Sequence, residues 1–196
     1  MGTRVTTLAQ RDIDPRLVPL EDAADLAAKG HRGAFDAIVG RTTPKLYRLA
    51  ARIMGDQGEA EDVLQDAYIR AFDALLAGKF DRRSNLETWL YRIVANGALD
   101  ALRSRKRRRA RYDLDSEGVD EAPQSDGSRL AARAALRELD VMLAELPPDQ
   151  RTAIVLKEVE GLSSNEVAEV MNCSVGSVEQ RLVRARATLR KKSEEQ

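Results

Sequence analysis

Apolar residues recur along this chain at steps of three and four positions, the spacing that places them on one face of an α-helix. The first long run contains Pro44, where we expect a kink or a break because proline lacks a backbone donor. No stretch alternates apolar and polar residues as a half-buried strand would. The pattern therefore predicts an all-α fold. The apolar positions of this first run are Phe35, Ile38, Val39, Leu46, Leu49 and Ile53.

Two further helices are expected after this run, and the second has two distinct faces. The earlier helix carries apolar residues between Leu64 and Leu75 and is expected to end at Gly78. The later helix begins near Leu86 and continues into a run of arginines. Its apolar stripe comprises Leu86, Leu90, Ile93, Gly97 and Ala101. Another face, at the same helical repeat, comprises Trp89, Arg92, Asn96 and Arg103.

The last part of the chain predicts a second helical block that ends in a helix-turn-helix. Pro147 and Pro148 stop its first helix. The stretch "SSNE" at 163–166 offers a capping box for a short helix, and Ser174 offers a cap for the final helix. The first helix of the block is marked by Leu136, Leu139, Leu143 and Leu146, and the buried stripe of the final helix by Val178, Leu182, Ala185 and Leu189.

The formal net charge is zero, with 32 basic and 32 acidic residues, but the charges are segregated along the chain. Residues 103–111 hold seven basic residues and no acid, whereas residues 113–126 hold six acids and no base. Residues 56–66 hold five acids and no base. Such a chain suits a polyanion at one surface and a basic protein at another. The acidic stretch 109–129 lacks helical periodicity and contains glycine, proline and serine, so we interpret it as a flexible linker.

Two segments predict contact with nucleic acid, and each has a simpler alternative. The final helix has a buried stripe, a small or polar outward face and basic residues farther along, as a recognition helix does. Its alternative is an amphipathic helix with a solvated basic face. Between 80 and 109, aromatic residues lie among basic and amide side chains, which suits unpaired bases. There the alternative is that Trp89 belongs to the core and that the arginines are solvated.

The sequence offers little that would support catalysis. The acids at 56–66 could bind a metal, but His31 is the only histidine, and acids at a helix start commonly serve the helix dipole. A docking face for a basic protein is the better functional interpretation. Cys173 is the only cysteine, which excludes an internal disulfide and suits the cytoplasm. We expect no cofactor and no metal. We also expect no membrane insertion, since no apolar run approaches the length of a membrane span.

The order of these segments resembles the bacterial RNA polymerase sigma factors of the extracytoplasmic-function (ECF) group. The stretch "AEDVLQDAYIRAF" (60–72) is similar to the family's polymerase-binding helix. The stretch "FDRRSNLETWLYRIVANGALDALRSRKRR" (80–108) is similar to its promoter-melting loop and −10 helix. The stretch from 146 to 190 is similar to its −35-binding region. The resemblance implies two small helical domains joined by a flexible acidic linker, the C-terminal one a helix-turn-helix.

The resemblance also implies a role for individual residues. Asp62, Gln65 and Asp66 would bind core RNA polymerase. The residues that would bind the −10 element are Phe80, Ser84, Asn85, Trp89, Arg92, Asn96 and Arg103. The residues that would bind the −35 element are Ser177, Glu179, Gln180, Arg181, Val183 and Arg184. The expected division of the chain is a flexible N-terminus (1–20), a region 2 domain (21–108), the linker (109–129) and a region 4 domain (130–196).

The partners so implied are core RNA polymerase, promoter DNA and an anti-sigma factor, and the chain itself is not expected to be an enzyme. Two rival functions explain less of the sequence. A helix-turn-helix regulator that binds duplex DNA alone would leave 56–108 without a role. A nucleic-acid-processing enzyme would need a metal at the acidic helix.

Glu179 is an unusual residue for the first turns of a DNA-reading helix, because it brings negative charge toward a polyanion. Its carboxylate could accept a hydrogen bond from cytosine N4 in the major groove. Alternatively, it pairs with an arginine or lies on a solvated flank. The family commonly has a basic or neutral residue here, so this position bears on promoter sequence rather than on function.

Overall fold

The computed structural model describes residue 14, residues 17–112 and residues 139–194, and of residues 109–112 it describes the backbone alone. The predicted all-α fold is confirmed for these residues. The first group of helices comprises α1 (Leu20–Ala28), α2 (Arg32–Met54), α3 (Gln57–Leu76) and α4 (Leu86–Tyr112). The second comprises α5 (139–144), α6 (Pro148–Ile154), which continues as one π-helical stretch (Val155–Val159), α7 (Ser164–Val170) and α8 (Val175–Glu194).

The first four helices pack around an aliphatic core. Ile38, Leu49 and Ile53 of α2 are completely buried, and they meet Leu75 of α3 and Leu86 of α4 in one hydrophobic cluster. Each fully buried side chain of this size stabilises the fold by about 1.5–3 kcal/mol relative to exposure. The core therefore fixes which faces of α3 and α4 remain in solvent.

Pro44 does not break α2, so the break considered from the sequence is wrong. The helix runs without interruption from Arg32 to Met54. Proline removes one backbone hydrogen bond, but the apolar residues on both sides of it, among them Ile38 and Leu46, are buried against neighbouring helices. Packing of this kind offsets the local cost of proline, which is about 3 kcal/mol.

The predicted linker starts too early. Helix α4 continues to Tyr112, so residues 109–112 are helical. Arginine is a good helix former, and a cluster of positive charge is favourable at the carboxyl end of a helix. The rest of the predicted linker, like Leu136 and almost all of the predicted flexible N-terminus, lies outside the described residues.

The second group of helices packs directly against the first. Leu143, Leu146 and Leu156 join the same buried cluster as the core of α2 and α4. The guanidinium of Arg151, only 6% exposed, donates to the carbonyl of Ile53 at 2.9 Å. The described helices thus form one body in which α7 lies against α4, and α8 lies against α6 and α7. None of the described helices is both long enough and apolar enough to span a membrane.

Candidate nucleic-acid interface

Helix α3 presents a polar face opposite its buried one. Asp62, Gln65 and Asp66 are all exposed, while Val63 and Leu64 between them are buried. Positions 62, 65 and 66 share one side because three- and four-residue steps bring a helix back to the same face. The structure therefore places the three predicted polymerase-binding residues together.

Two of the remaining acids at the start of α3, Asp56 and Glu59, have structural partners. Asp56 is the N-cap, and its carboxylate accepts from the backbone N–H of Glu59 at 2.9 Å. Glu59 in turn accepts from Arg105 of α4 at 2.8 Å. Across the described residues, no three histidine, cysteine, aspartate or glutamate side chains converge as metal ligands would. In the acidic run, Asp56 therefore caps the helix, Glu59 pairs with α4, and the other acids lie on a solvated face.

An aromatic pair lies where the loop after α3 meets the start of α4. The ring centroids of Phe80 and Trp89 are 5.3 Å apart with the planes tilted by 54°. Both rings are half-buried and pack against the hydrophobic core. The two interpretations of Trp89 are therefore compatible, because one side of the ring contributes to the core and the remainder stays accessible.

The loop itself is held by contacts that the sequence did not reveal. Arg82 adopts a positive φ of 57° and donates to the carboxylate of Asp25 at 2.5 Å and to the carbonyl of Glu21 at 3.2 Å. The Asp25 carboxylate raises the pKa of Arg82 above its ordinary value. Arg82 therefore ties the loop to α1, and Arg83 beside it stays exposed.

Asn85 caps helix α4. Its side-chain oxygen accepts from the backbone N–H of Thr88 at 2.7 Å, as an N-cap residue does. Asn85 was predicted to contact a −10 base, and the cap leaves its amide nitrogen as the group available for that contact. Ser84, immediately before it, is partly exposed.

One face of α4 carries the other predicted −10 residues. Arg92 and Arg103 are exposed, and Trp89 and Asn96 are partly exposed along the same side. Arg103 has two acidic neighbours, Asp100 at 3.2 Å and Asp149 of α6 at 3.7 Å. The face is therefore continuous along α4 and meets the second group of helices at its carboxyl end.

The predicted helix-turn-helix is present with both of its caps. Ser163 and Glu166 form the capping box of α7, with the Glu166 carboxylate accepting from the Ser163 backbone at 2.8 Å. These hydrogen bonds lower the pKa of Glu166. The turn passes through Asn172 at a positive φ of 49°, which asparagine tolerates better than most residues. Ser174 then accepts from the backbone of Ser177 at 3.2 Å, as predicted for the start of α8.

Helix α8 buries one side and exposes the other. Val178, Leu182 and Ala185 are completely buried. All six predicted −35 residues are exposed or partly exposed, namely Ser177, Glu179, Gln180, Arg181, Val183 and Arg184. Val183 is 62% exposed, so its side chain is accessible for apolar contact with a thymine methyl group.

Glu179 is held by a serine rather than by an arginine. Its Oε1 accepts from the hydroxyl of Ser164 at 2.6 Å, at the start of α7. Two arginines of α8 have other partners: Arg186 donates to Glu158 at 2.5 Å, and Arg181 donates to the sulfur of Cys173 at 2.9 Å. The Ser164 contact fixes the side chain and leaves Oε2 as an acceptor.

Two buried polar residues, Arg151 and Tyr91, connect the two groups of helices. Arg151 donates to Ile53, to Leu146 at 3.1 Å and to Ala144, and burial lowers its pKa. Tyr91, expected among the nucleic-acid-binding aromatics, is instead only 3% exposed and donates to Glu160 at 2.8 Å. Burial and that hydrogen bond raise the pKa of Tyr91. No periodicity could have revealed these contacts, because each depends on a partner distant in sequence.

The predicted DNA-contacting surface of α4 faces the second group of helices across two clefts, of which the larger is lined on its other side by the predicted surface of α8. A cleft of about 890 Å³ is lined by Arg103 and Lys106 on one side and by Ser177, Gln180 and Arg184 on the other. A second, of about 630 Å³, is lined by Ser84, Trp89 and Arg92 opposite Asn172 and Val175 of the helix-turn-helix. The sequence could predict each surface but not that they would face one another.

Comparison with known proteins identifies the family. Residues 38–108 match the model described as Sigma-70 region 2, and residues 136–189 match that described as Sigma-70, region 4. The chain is 37% identical over 174 residues to the ECF RNA polymerase sigma factor SigW of Bacillus subtilis, covering 83% of this chain and 90% of that protein. The chain belongs to the ECF sigma factors. This sigma factor is also 36% identical over 169 residues to the ECF sigma-E factor of Escherichia coli, covering 82% of this chain and 87% of that one.

Two solved structures are similar to this sigma factor along most of its length. The sigma factor RpoE of Bartonella quintana, solved with the anti-sigma factor NepR, gives a TM-score of 0.63 at 29% identity and covers 80% of this chain and 94% of its own. CnrH, solved with the cytosolic domain of CnrY, gives a TM-score of 0.64 at 30% identity and covers 89% and 96%. The family and the all-α fold predicted from the sequence are therefore confirmed.

Proposed function

We propose that this sigma factor binds core RNA polymerase through the exposed face of α3, reads the −35 element with α8 and stabilises the melted −10 strand with the 80–85 loop and α4. The polymerase carries out the chemistry, so the chain is not itself an enzyme. The observation that supports this most strongly is that one chain carries three exposed surfaces, an acidic one on α3 and two with arginine and amide side chains on α4 and α8, in segments that match regions 2 and 4 of the family.

The charges fit this division of labour. The exposed carboxylates of Asp62 and Asp66 suit a basic protein surface and would repel DNA phosphates. Because the net charge is zero, we expect weak promoter binding by the free chain, with most of the affinity arising in the complex with polymerase.

The same proposal assigns the domains and the remaining partners. We divide the chain into the region 2 domain (21–108), now extended at its end by the helical residues to 112, and the region 4 domain (130–196). An anti-sigma factor is the expected regulator, supported by the similar sigma factor RpoE of Bartonella quintana, which was solved with the anti-sigma factor NepR. Since polymerase and promoter DNA are cytoplasmic, the proposal places this sigma factor there as well.

Reconstitution with core RNA polymerase tests the proposal. The wild type should bind core polymerase and direct specific transcripts from a library of random promoter sequences. Asp66→Lys should weaken core binding at least tenfold, since it reverses a charge at the interface. The matched control is Asp36→Lys, the same substitution at an exposed aspartate of α2 outside the proposed surface, and it should bind as the wild type does. A wild type that fails to bind core polymerase would contradict the proposal.

A further inference from the structure

The loop between α3 and α4 holds an arginine in an unfavourable backbone conformation. Arg82 has a φ of 57°, a region that costs free energy for a residue with a Cβ, because the Cβ comes too close to the following carbonyl oxygen. Asn172 is the other described non-glycine residue with a positive φ, and asparagine adopts that region more readily than arginine does. Such a conformation persists when surrounding contacts hold it. The backbone at 82 must therefore be held by contacts of its own.

Both contacts of the Arg82 side chain lie on α1. Its Nη2 donates to Oδ2 of Asp25 at 2.5 Å, and to the backbone carbonyl of Glu21, one turn earlier, at 3.2 Å. Helix α1 is itself fixed in place, because Ala23 and Ala27 on its other side are completely buried in the hydrophobic core. The middle of the loop is thus attached to a helix that cannot easily move.

Arg82 lies on the side of the loop away from the cleft that contains Trp89. Its two neighbours in the chain, Asp81 and Arg83, line that cleft together with Ser84, and Arg82 does not. In the proposed function the melted −10 strand lies against the side chains that line this cleft. Their direction depends on the backbone between them, so Arg82 sets where they point although it does not face the strand itself.

The two ends of the loop have anchors of their own. The ring of Phe80 packs against the hydrophobic core at one end, and Asn85 caps α4 at the other. Between these ends, the hydrogen bond and the ion pair that join Asp81 and Arg83 stay within the loop. The contacts of Arg82 are the ones that reach another helix. Their loss should therefore loosen the middle of the loop and leave its ends in place.

We propose that Arg82 and Asp25 form a positioning pair that presets the 80–85 loop in the shape that receives a −10 base, so that α1 contributes to base selectivity without touching DNA. A loop already fixed in its bound shape loses less conformational entropy on binding, and it cannot move to accommodate a base that fits poorly. The inference rests on the proposed function, because that function assigns the loop to the −10 strand. It gives Asp25 a part in promoter selectivity that the proposed function does not contain.

Binding of the reconstituted holoenzyme to single-stranded −10 oligonucleotides tests the pair. Four oligonucleotides carry each base in turn at the −10 position where the wild type discriminates most. The readout is the ratio of dissociation constants between the second-best base and the best. Asp25→Ala and Arg82→Ala should each lower this ratio by about three- to fivefold, as expected for the loss of an exposed ion pair. The double variant should lose no more than either single variant, because the two side chains act as one unit.

Two further outcomes distinguish positioning from a general loss of structure. Binding of Asp25→Ala and of Arg82→Ala to core polymerase should equal that of the wild type, because the exposed face of α3 is unchanged. Their affinity should fall more for the best base than for the others. An equal loss of affinity for all four bases would overturn the proposal.

Arg82→Gly separates the contacts with α1 from the backbone conformation. Glycine adopts a positive φ without steric cost, but it has no side chain that could reach Asp25. This variant should therefore lose as much selectivity as Arg82→Ala. Wild-type selectivity in Arg82→Gly would show that the backbone conformation alone shapes the loop, and it would refute the positioning pair.

Two control variants each remove one carboxylate close to the pair. Asp22→Ala changes the same helix at an exposed acid whose charge acts on Arg82 more weakly than that of Asp25. Glu87→Ala breaks an ion pair with Lys45 in the first turn of α4, where both side chains are partly exposed. Both controls should keep the wild-type ratio. If Asp25→Ala and Arg82→Ala match these controls, or if their losses multiply in the double variant, the positioning pair is refuted. A wild-type holoenzyme that binds none of the −10 oligonucleotides would instead refute the proposed function.

Discussion

Arg151 offers the most direct test of how the two groups of helices are held together. Its side chain is 6% exposed and donates to three backbone carbonyls, those of Ile53, Ala144 and Leu146. The substitution Arg151→Met keeps most of the aliphatic volume and removes every donor. Each hydrogen bond from a charged group contributes about 1.5–3 kcal/mol, and an unpaired buried carbonyl costs about 1–3 kcal/mol. The substitution also removes the cost of burying the guanidinium charge, which offsets part of this loss. We therefore expect a net destabilisation of about 3–5 kcal/mol.

Thermal unfolding followed by circular dichroism measures this loss. For a chain of this size 1 kcal/mol corresponds to about 2–4 °C, so the melting temperature should fall by about 10 °C. The matched control, Arg190→Met, makes the same change at an exposed position of α8 and should shift the melting temperature by less than about 2 °C. Arg151→Lys should resemble Arg151→Met, because an ammonium cannot reach three carbonyls with a planar fork. A melting temperature for Arg151→Met within about 2 °C of wild type would refute the reasoning.

Three further predictions concern single side chains. Glu179→Gln should change the preferred base at one or two −35 positions in a library selection, with the affinity ratio between bases changing by about 5- to 150-fold. Ser164→Ala should weaken the same base preference. An equal change in affinity for all sequences would show that Glu179 lies on a flank and reads no base. Trp89→Ala should weaken holoenzyme binding to a single-stranded −10 oligonucleotide by about tenfold, as lost base stacking predicts; unchanged binding would make the ring purely structural. Because the pKa of Glu166 is lowered on folding, its stabilisation is present above about pH 4.3 and is lost as the pH falls. The difference in melting temperature between wild type and Glu166→Gln should therefore shrink in acid, and a constant difference would contradict this.

The sequence predicted the features that depend on residues close together in the chain. The capping box of Ser163 and Glu166, the cap at Ser174 and the exposed face of α3 follow from short-range patterns, and the structure contains all three. The polymerase and DNA contacts assigned to those faces remain predictions.

What the sequence could not predict depends on partners far away in the chain. Arg151 looks like one more charged residue in "PPDQRT", and only the fold brings the Ile53 carbonyl to it across 98 positions. Tyr91 follows Trp89 by two positions, yet two positions on a helix point to different sides, so one ring is half-exposed and the other buried. Pro44 predicted a kink or a break in α2, but the helix runs through it without interruption because packing against neighbouring helices stabilises both sides.

Permanganate footprinting tests the central claim most directly. A promoter selected with the holoenzyme would be probed for unpaired thymines in the −10 region, with the chain alone, core polymerase alone and both together. The account predicts reactive thymines only when both are present, and loss of that reactivity with Asp66→Lys. Tight binding of the chain alone to an operator, or a holoenzyme that leaves the −10 region fully paired, would contradict the account.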